Sequence, residues 1–232
     1  MRNKIANKAL VLFSGGQDST TCLYWARENF DEVIALNISY GQRHRIEGAC
    51  ARKICSLSKI EYLDIETDLL KLITNSALLQ DNVSVNTKHK SDSSLPATFV
   101  PGRNILFLTI AKIIAYNYDI KHVVTGVCQT DYSGYPDCRR DTINALETTL
   151  TYGLAHSTHI HTPLMYLTKE QTVQMALLFS GCMEALSFSH TCYEGAHIPC
   201  GDCPACKLRA IGFEEAGIQD PLISRLKREE KI

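Results

Sequence analysis

Ala9-Leu10-Val11-Leu12-Phe13-Ser14-Gly15-Gly16-Gln17-Asp18-Ser19-Thr20 decides how the rest of the chain is read. Five apolar residues in a row predict a strand buried on both faces, and the apolar spacing over residues 18–27 predicts a helix. Between them, two adjacent glycines allow a sharp turn that presents backbone N–H groups and the hydroxyls of Ser14, Ser19 and Thr20 at a helix N-terminus. That is a cradle for an anion such as phosphate. It is not a Walker A loop, because the phosphate-reaching lysine is missing, and the spacing is not G-x-G-x-x-G. Asp18 would repel phosphate unless a cation stood between them, which suits Mg²⁺ and its preference for oxygen ligands. A plain Gly-Gly turn with Asp18 and Ser19 as helix caps would use the same residues.

The strand-turn-helix pattern recurs outward from this stretch. Residues 33–39 and 60–65 read as strands around a helix over 43–57; a helix over 104–118 precedes a strand over 122–127, and helices follow over 142–152 and 168–179. Such alternation predicts an α/β fold: a doubly wound, mostly parallel sheet with helices on both faces. Residues 80–98 are polar and without period, so they form a long loop, either a lid or a plain insertion. The main unit is expected to span residues 1–190, with 191–232 as a small C-terminal zinc-binding and helical subregion packed on it.

At 232 residues the chain can bury roughly 70–75% of its unfolded surface and needs no disulfides to fold. It has 24 basic against 25 acidic residues, a net charge of -1, so the whole molecule has no attraction for nucleic acid or anionic lipid. No apolar run reaches the length of a membrane span, and residues 9–13 are too few for a signal segment. We expect a cytoplasmic protein with no membrane partner.

Ten cysteines are many for such a chain, and their positions divide them. Cys22, Cys50, Cys55, Cys128, Cys138 and Cys182 are scattered in apolar or helical contexts, as free thiols in a reducing compartment. Cys192, Cys200, Cys203 and Cys206 cluster among glycines and prolines. Four soft thiolates at these spacings fit tetrahedral Zn²⁺ with no open position, a structural site. An iron–sulfur cluster is the alternative, His190 or His197 are minor substitutes for a thiolate, and Lys207 and Arg209 are placed to offset the charge.

The string Ser14-Gly15-Gly16-Gln17-Asp18-Ser19 resembles the PP-loop of the N-type ATP pyrophosphatases. Three further segments narrow the resemblance to the 7-cyano-7-deazaguanine synthase family: Ser39-Tyr40-Gly41-Gln42-Arg43-His44, Thr98-Phe99-Val100-Pro101-Gly102-Arg103-Asn104, and Gly126-Val127-Cys128 leading into Asp131-Tyr132-Ser133-Gly134-Tyr135-Pro136-Asp137-Cys138-Arg139. The resemblance implies an adenine nucleotide alpha hydrolase-like fold. It also implies ATP-dependent conversion of 7-carboxy-7-deazaguanine and ammonia to the 7-nitrile, in queuosine precursor biosynthesis.

On that resemblance ATP binding falls to Phe13, Ser14, Gly15, Gly16, Gln17, Asp18, Ser19, Thr20, Thr21, Cys22 and Leu23. Asp18, through Mg²⁺, and Arg103, as a cation at the α-phosphate, are the expected catalytic residues. The segment after the strand over 122–127 lies at the carboxyl edge of the sheet, where open α/β folds bind ligands. There Asp131 or Asp137 would accept from the pyrimidine-edge N–H groups of a deazaguanine, Tyr132 or Tyr135 would stack on its ring, and Ser133 would join the pocket. Tyr40, Gln42, Arg43 and His44 follow the second strand at the same edge and line the nucleotide pocket, His44 with a structural role as the alternative. Asp141 reads as a solvated first-turn acid. A covalent thioimidate at Cys128 or Cys138 is disfavoured, since no base is evident beside either thiol.

A tRNA-modifying PP-loop enzyme should carry a basic track or an added RNA domain, and the lysines and arginines here are interleaved with acids. We therefore expect no nucleic-acid partner. Another PP-loop amidoligase is the nearer rival, and the absence of a glutaminase domain implies free ammonia or a separate donor. The sequence leaves the oligomeric state open, a homodimer among the options.

Overall fold

The computed structural model describes residues 4–42, 46–74, 76–79, 84–85, 87–88, 95–130 and 135–231. The opening stretch forms β1 (Ala6–Leu12) and α1 (Gln17–Asn29), followed by β2 (Phe30–Ser39), α2 (Ile46–Ser58), β3 (Glu61–Glu66) and the short α3 (Leu69–Ile73). Then come α4 (Arg103–Asn117), β4 (His122–Val124), a 3₁₀ turn over Pro136–Cys138, α5 (Arg140–Leu154), β5 (His159–His161), α6 (Lys169–Leu177), α7 (Cys182–Phe188), α8 (Pro204–Glu215) and α9 (Pro221–Arg228).

The five strands lie in the order β3-β2-β1-β4-β5, and every pairing is parallel. Successive side chains on a strand point to opposite faces, and that alternation divides the core. Ala9, Val11 and Phe13 pack with Leu23 of α1, Ile54 of α2, Val173 of α6 and Phe213 of α8. Leu10 packs on the other face with Leu108 and Ala111 of α4 and Ile143 of α5. The continuous apolar run at β1 thus reflects burial on both sides, as the sequence predicts.

Strand order reverses between β1 and β4. The chain winds outward through β2 and β3, returns beside β1, and winds the other way, which opens a crevice at the carboxyl ends of β1 and β4. Several element ends shift from expectation: β2 begins at Phe30, α5 begins at Arg140 and α6 ends at Leu177. β4 ends at Val124 rather than 127, because the chain then crosses the start of α1, where a Cβ on Gly126 would meet Ser19 N at 3.3 Å. α2 is described from Ile46, so its expected beginning at residue 43 lies outside the described residues. No described helix is long and apolar enough to cross a membrane.

Candidate active site

A cleft of about 770 Å³ occupies the crevice. Its floor is the turn between β1 and α1, and only part of the expected nucleotide run faces it. Phe13, Ser14, Gly16, Gln17, Asp18 and Ser19 line the cleft. The Thr20 hydroxyl donates to the Gly16 carbonyl at 2.8 Å and that of Thr21 to Gln17 at 3.2 Å, while Cys22 and Leu23 lie in the core. Gly15 turns away from the cleft for a steric reason. Its φ is +86°, and an added Cβ would sit 2.6 Å from the Glu47 carbonyl oxygen and 2.7 Å from Ala51 N, so α2 packs directly on the turn.

The start of α1 carries no side-chain cap. Its first-turn amides therefore keep the unpaired donors that an uncapped helix start presents, aimed where an anion is favoured. Ser14 Oγ accepts from Gly16 N–H at 3.2 Å and lies 3.2 Å from Ser19 Oγ, closing a small ring of polar atoms at the turn.

Asp18 is held by a residue the sequence reading missed. Lys169 Nζ donates to Asp18 Oδ2 at 2.6 Å from the first position of α6, 151 residues away. The cation absent from the loop is thus supplied across the fold. Thr168 fixes the lysine's backbone through a capping box, its Oγ1 accepting from Gln171 N–H while Gln171 Oε1 accepts from Thr168 N–H. Asp18 Oδ1 and Gln17 Nε2 are buried with no hydrogen-bond partner. The bare carboxylate oxygen is a hard ligand of the kind Mg²⁺ takes, and the amide cradle beside it suits the phosphate that would supply further oxygens.

Above the floor stand Tyr40, Gln42, Arg103 and Tyr135. Arg103, the first residue of α4, points inward: its guanidinium donates to Tyr40 Oη at 3.3 Å and lies 5.9 Å from the centre of that ring. Tyr135 shares a 2.9 Å hydrogen bond with Thr98 and packs against Phe99 with ring centres 5.4 Å apart. Burial pushes the phenols of Tyr40 and Tyr135 up, so both remain protonated hydrogen-bond donors at neutral pH.

Asp137 does not line the cleft. It is buried, and its Oδ2 accepts from Asn104 N–H at 2.9 Å, tying the 3₁₀ turn to the otherwise uncapped start of α4. Asp131, Tyr132 and Ser133 lie outside the described residues, as do Arg43 and His44. Cys128 and Cys138 both line the cleft, with Cys128 Sγ donating to Leu167 O at 3.4 Å and Cys138 Sγ accepting from Asn104 Nδ2 at 3.3 Å. Asp141 is exposed on α5, as expected. From the 80–98 loop, Val85, Thr87, Lys88, Leu95, Pro96 and Thr98 reach the cleft wall.

The four clustered cysteines converge beside this wall. Their sulfurs lie within 4.8 Å of one another, and Cys192, Cys203 and Cys206 are buried while Cys200 is exposed. A tetrahedral thiolate site with metal–sulfur bonds of about 2.3 Å has sulfur–sulfur edges of about 3.8 Å, so a metal ion fits with little closure. Backbone N–H groups of Cys200 and Cys203 donate to the sulfurs of Cys192 and Cys200 and so orient them toward one another. Lys207 pairs with Asp202 at 2.8 Å close to the cluster. Arg209 does not serve the cluster as expected: it is buried and forks onto Asp220 at 2.7 and 2.9 Å. His190 donates Nε2–H to the Ala196 carbonyl at 2.8 Å.

The chain matches the family described as "Queuosine biosynthesis protein QueC" over residues 8–217. A 7-cyano-7-deazaguanine synthase of Chromobacterium violaceum is 51% identical over 224 residues, covering 96% of this chain and 95% of that protein. The one from Bacillus subtilis is 42% identical over 209 residues, 90% and 94% of the two chains. Among solved structures, a U34-tRNA thiolase, NcsA, from Methanococcus maripaludis with its [4Fe-4S] cluster superposes with a TM-score of 0.50 at 17% identity, over 95% of this chain and 70% of that one. A 4-thiouridine synthetase–RNA complex with bound ATP gives 0.51 at 15%, over 97% and 53%. These two share the fold. The identities over nearly the whole chain carry more, and they place this chain in the 7-cyano-7-deazaguanine synthase family of queuosine biosynthesis.

Proposed function

We propose that the cleft converts 7-carboxy-7-deazaguanine and ammonia to 7-cyano-7-deazaguanine, using ATP at two successive adenylations. A carboxylate resists ammonia until one oxygen is made a leaving group, which transfer of AMP with release of pyrophosphate achieves. Ammonia then displaces AMP to give the amide, and a second adenylation removes the amide oxygen. The observation that carries this reading is the meeting of an uncapped helix start, Asp18 and Lys169 on the floor of a single cleft.

In this reading the α1 amides and Ser14 hold the phosphates, and Lys169 and Arg103 stabilise charge at the phosphoryl oxygens. Asp18 Oδ1 holds Mg²⁺, which neutralises phosphate charge when bound. Tyr135 packs against the deazaguanine ring, and Asp131 with Ser133 reads its edge; Asp137 serves α4. The four cysteines hold a structural Zn²⁺ within a 191–232 subregion packed on residues 1–190. The partners are small molecules rather than nucleic acid, and the cell site is the cytoplasm.

Incubation with ATP, Mg²⁺, ammonia and the 7-carboxy compound should yield the nitrile by mass and AMP rather than ADP. Production of ADP, or no nitrile, would overturn the reading. Asp18→Asn should leave melting unchanged and abolish AMP release, and near-normal AMP release by the folded variant would remove Asp18 from the mechanism.

A further inference from the structure

Glu47 stands on the cleft wall in the first turn of α2, on a backbone clamped against the phosphate turn at Gly15. Neither Mg²⁺ binding nor phosphate contact uses it. Among the described residues, the charged and titratable groups that couple to it are Arg103 of α4, Tyr40 after β2, Tyr193 beside Cys192, and Cys50 on its own helix. Tyr193 and Arg103 line the same cleft. Glu47 thereby shares one cleft with the phosphate turn and with Tyr40, Arg103 and Tyr193.

The proposed reaction has an unmet need at that place. When ammonia attacks the acyl adenylate, the new nitrogen is cationic and loses a proton as the C–O bond to AMP breaks. In the second half the amide nitrogen carries two protons and the nitrile nitrogen carries none. One leaves once the amide oxygen carries AMP, giving a neutral imidate, and the other leaves as AMP departs and the third C–N bond forms. Phosphate-binding cations cannot accept these protons, and the phenols of Tyr40 and Tyr193 are held protonated by burial.

We propose that Glu47 is the general base of this site, taking the proton from nitrogen in amide formation and again in nitrile formation. This rests on the two-adenylation reading above. Burial pushes its carboxyl up to about 8, against the opposing pull of Arg103. A carboxylate with that affinity for a proton is a base matched to neutral pH, and each proton it takes passes to solvent between steps.

The test uses the preformed 7-amide as substrate, so that titration of ammonia does not enter. Wild-type kcat for nitrile formation should rise with pH through a single titration limb carried by Glu47. Glu47→Gln should melt normally, still release pyrophosphate from ATP and the carboxylate substrate in a single turnover, and form nitrile about 100-fold or more slowly with the pH limb gone. Glu47→Asp should be slower than wild type but keep the limb, and it serves if the Gln variant does not fold. Nitrile formation by Glu47→Gln within threefold of wild type, or a flat wild-type profile, would overturn the base role. Failure of wild type to consume ATP and form nitrile would instead overturn the underlying reaction, so the two failures are distinct.

Discussion

Lys169 occupies the first position of α6, where the helix dipole disfavours a cation, and its compensation is the Asp18 carboxylate 2.6 Å away. An ion pair this close to an anion cradle is poised to exchange partners when a polyphosphate arrives. Lys169→Met keeps the stem and removes the charge, so we expect AMP formation to fall by about 100-fold or more, with melting little changed. AMP release at saturating ATP, alongside a thermal melt, checks this. The turn itself was legible because its residues are consecutive and lie between a countable strand and a countable helix. Lys169 was not, since nothing local ties it to Asp18. The available signal was a lysine placed just inside a Thr-x-x-Gln helix start, where an acid is the usual choice. The choice between Asp131 and Asp137 stayed open for the converse reason: a turn aspartate near a pocket serves equally as a helix tie, and only the fold shows the Asn104 N–H donating to Asp137.

At the scale of elements, Arg209 of α8 joins three pieces of the C-terminal region. Its guanidinium forks onto Asp220, the N-cap of α9, and also donates to Ser189 Oγ and the Leu186 carbonyl at the end of α7. Both partners are well buried, with side-chain exposures of 5% and 12%. Arg209→Leu strands the Asp220 carboxylate, so chemical denaturation should show a loss of about 3–5 kcal/mol. The metal cluster gives a second element-scale expectation: Cys203 is the N-cap of α8, and Cys203→Ser should lower bound metal and melting temperature together. Elemental analysis and a thermal melt of the same sample read the two, and unchanged metal content would remove Cys203 from the site. The long helices and β1 to β3 were legible because they run long enough for a period to be counted. β5 has three residues and α7 has seven, too few to establish a period, so they emerge only from their packing.

For the molecule as a whole, acid should weaken the sheet edge. His161 of β5 packs between Trp25, Phe30 and His122, and its Nε2 lies 2.9 Å from His122 Nδ1. Burial, with help from His159 and His122, lowers its pKa from 6.5 to about 4. The folded state thus favours the neutral ring. Its stabilising contribution is complete above about 6.5 and is lost as pH falls through about 4. Melting temperature should drop across that window, and His161→Asn, which cannot titrate, should flatten the slope; an unchanged slope would assign acid sensitivity elsewhere. The doubly wound order was legible as a class from alternating strands and helices, whereas the side of β1 on which the chain resumes was not.

Gly212 of α8 lies so close to α6 that an added Cβ would sit 2.7 Å from Lys169 Cβ. The helix that starts at the cysteines therefore braces the backbone of the lysine that grips Asp18. An ion held by those thiols would not need to meet ATP, yet through this helix it would steady the lysine that pairs with Asp18. Scarcity of that ion in a growth medium should then lower nitrile output and the stability of the protein together.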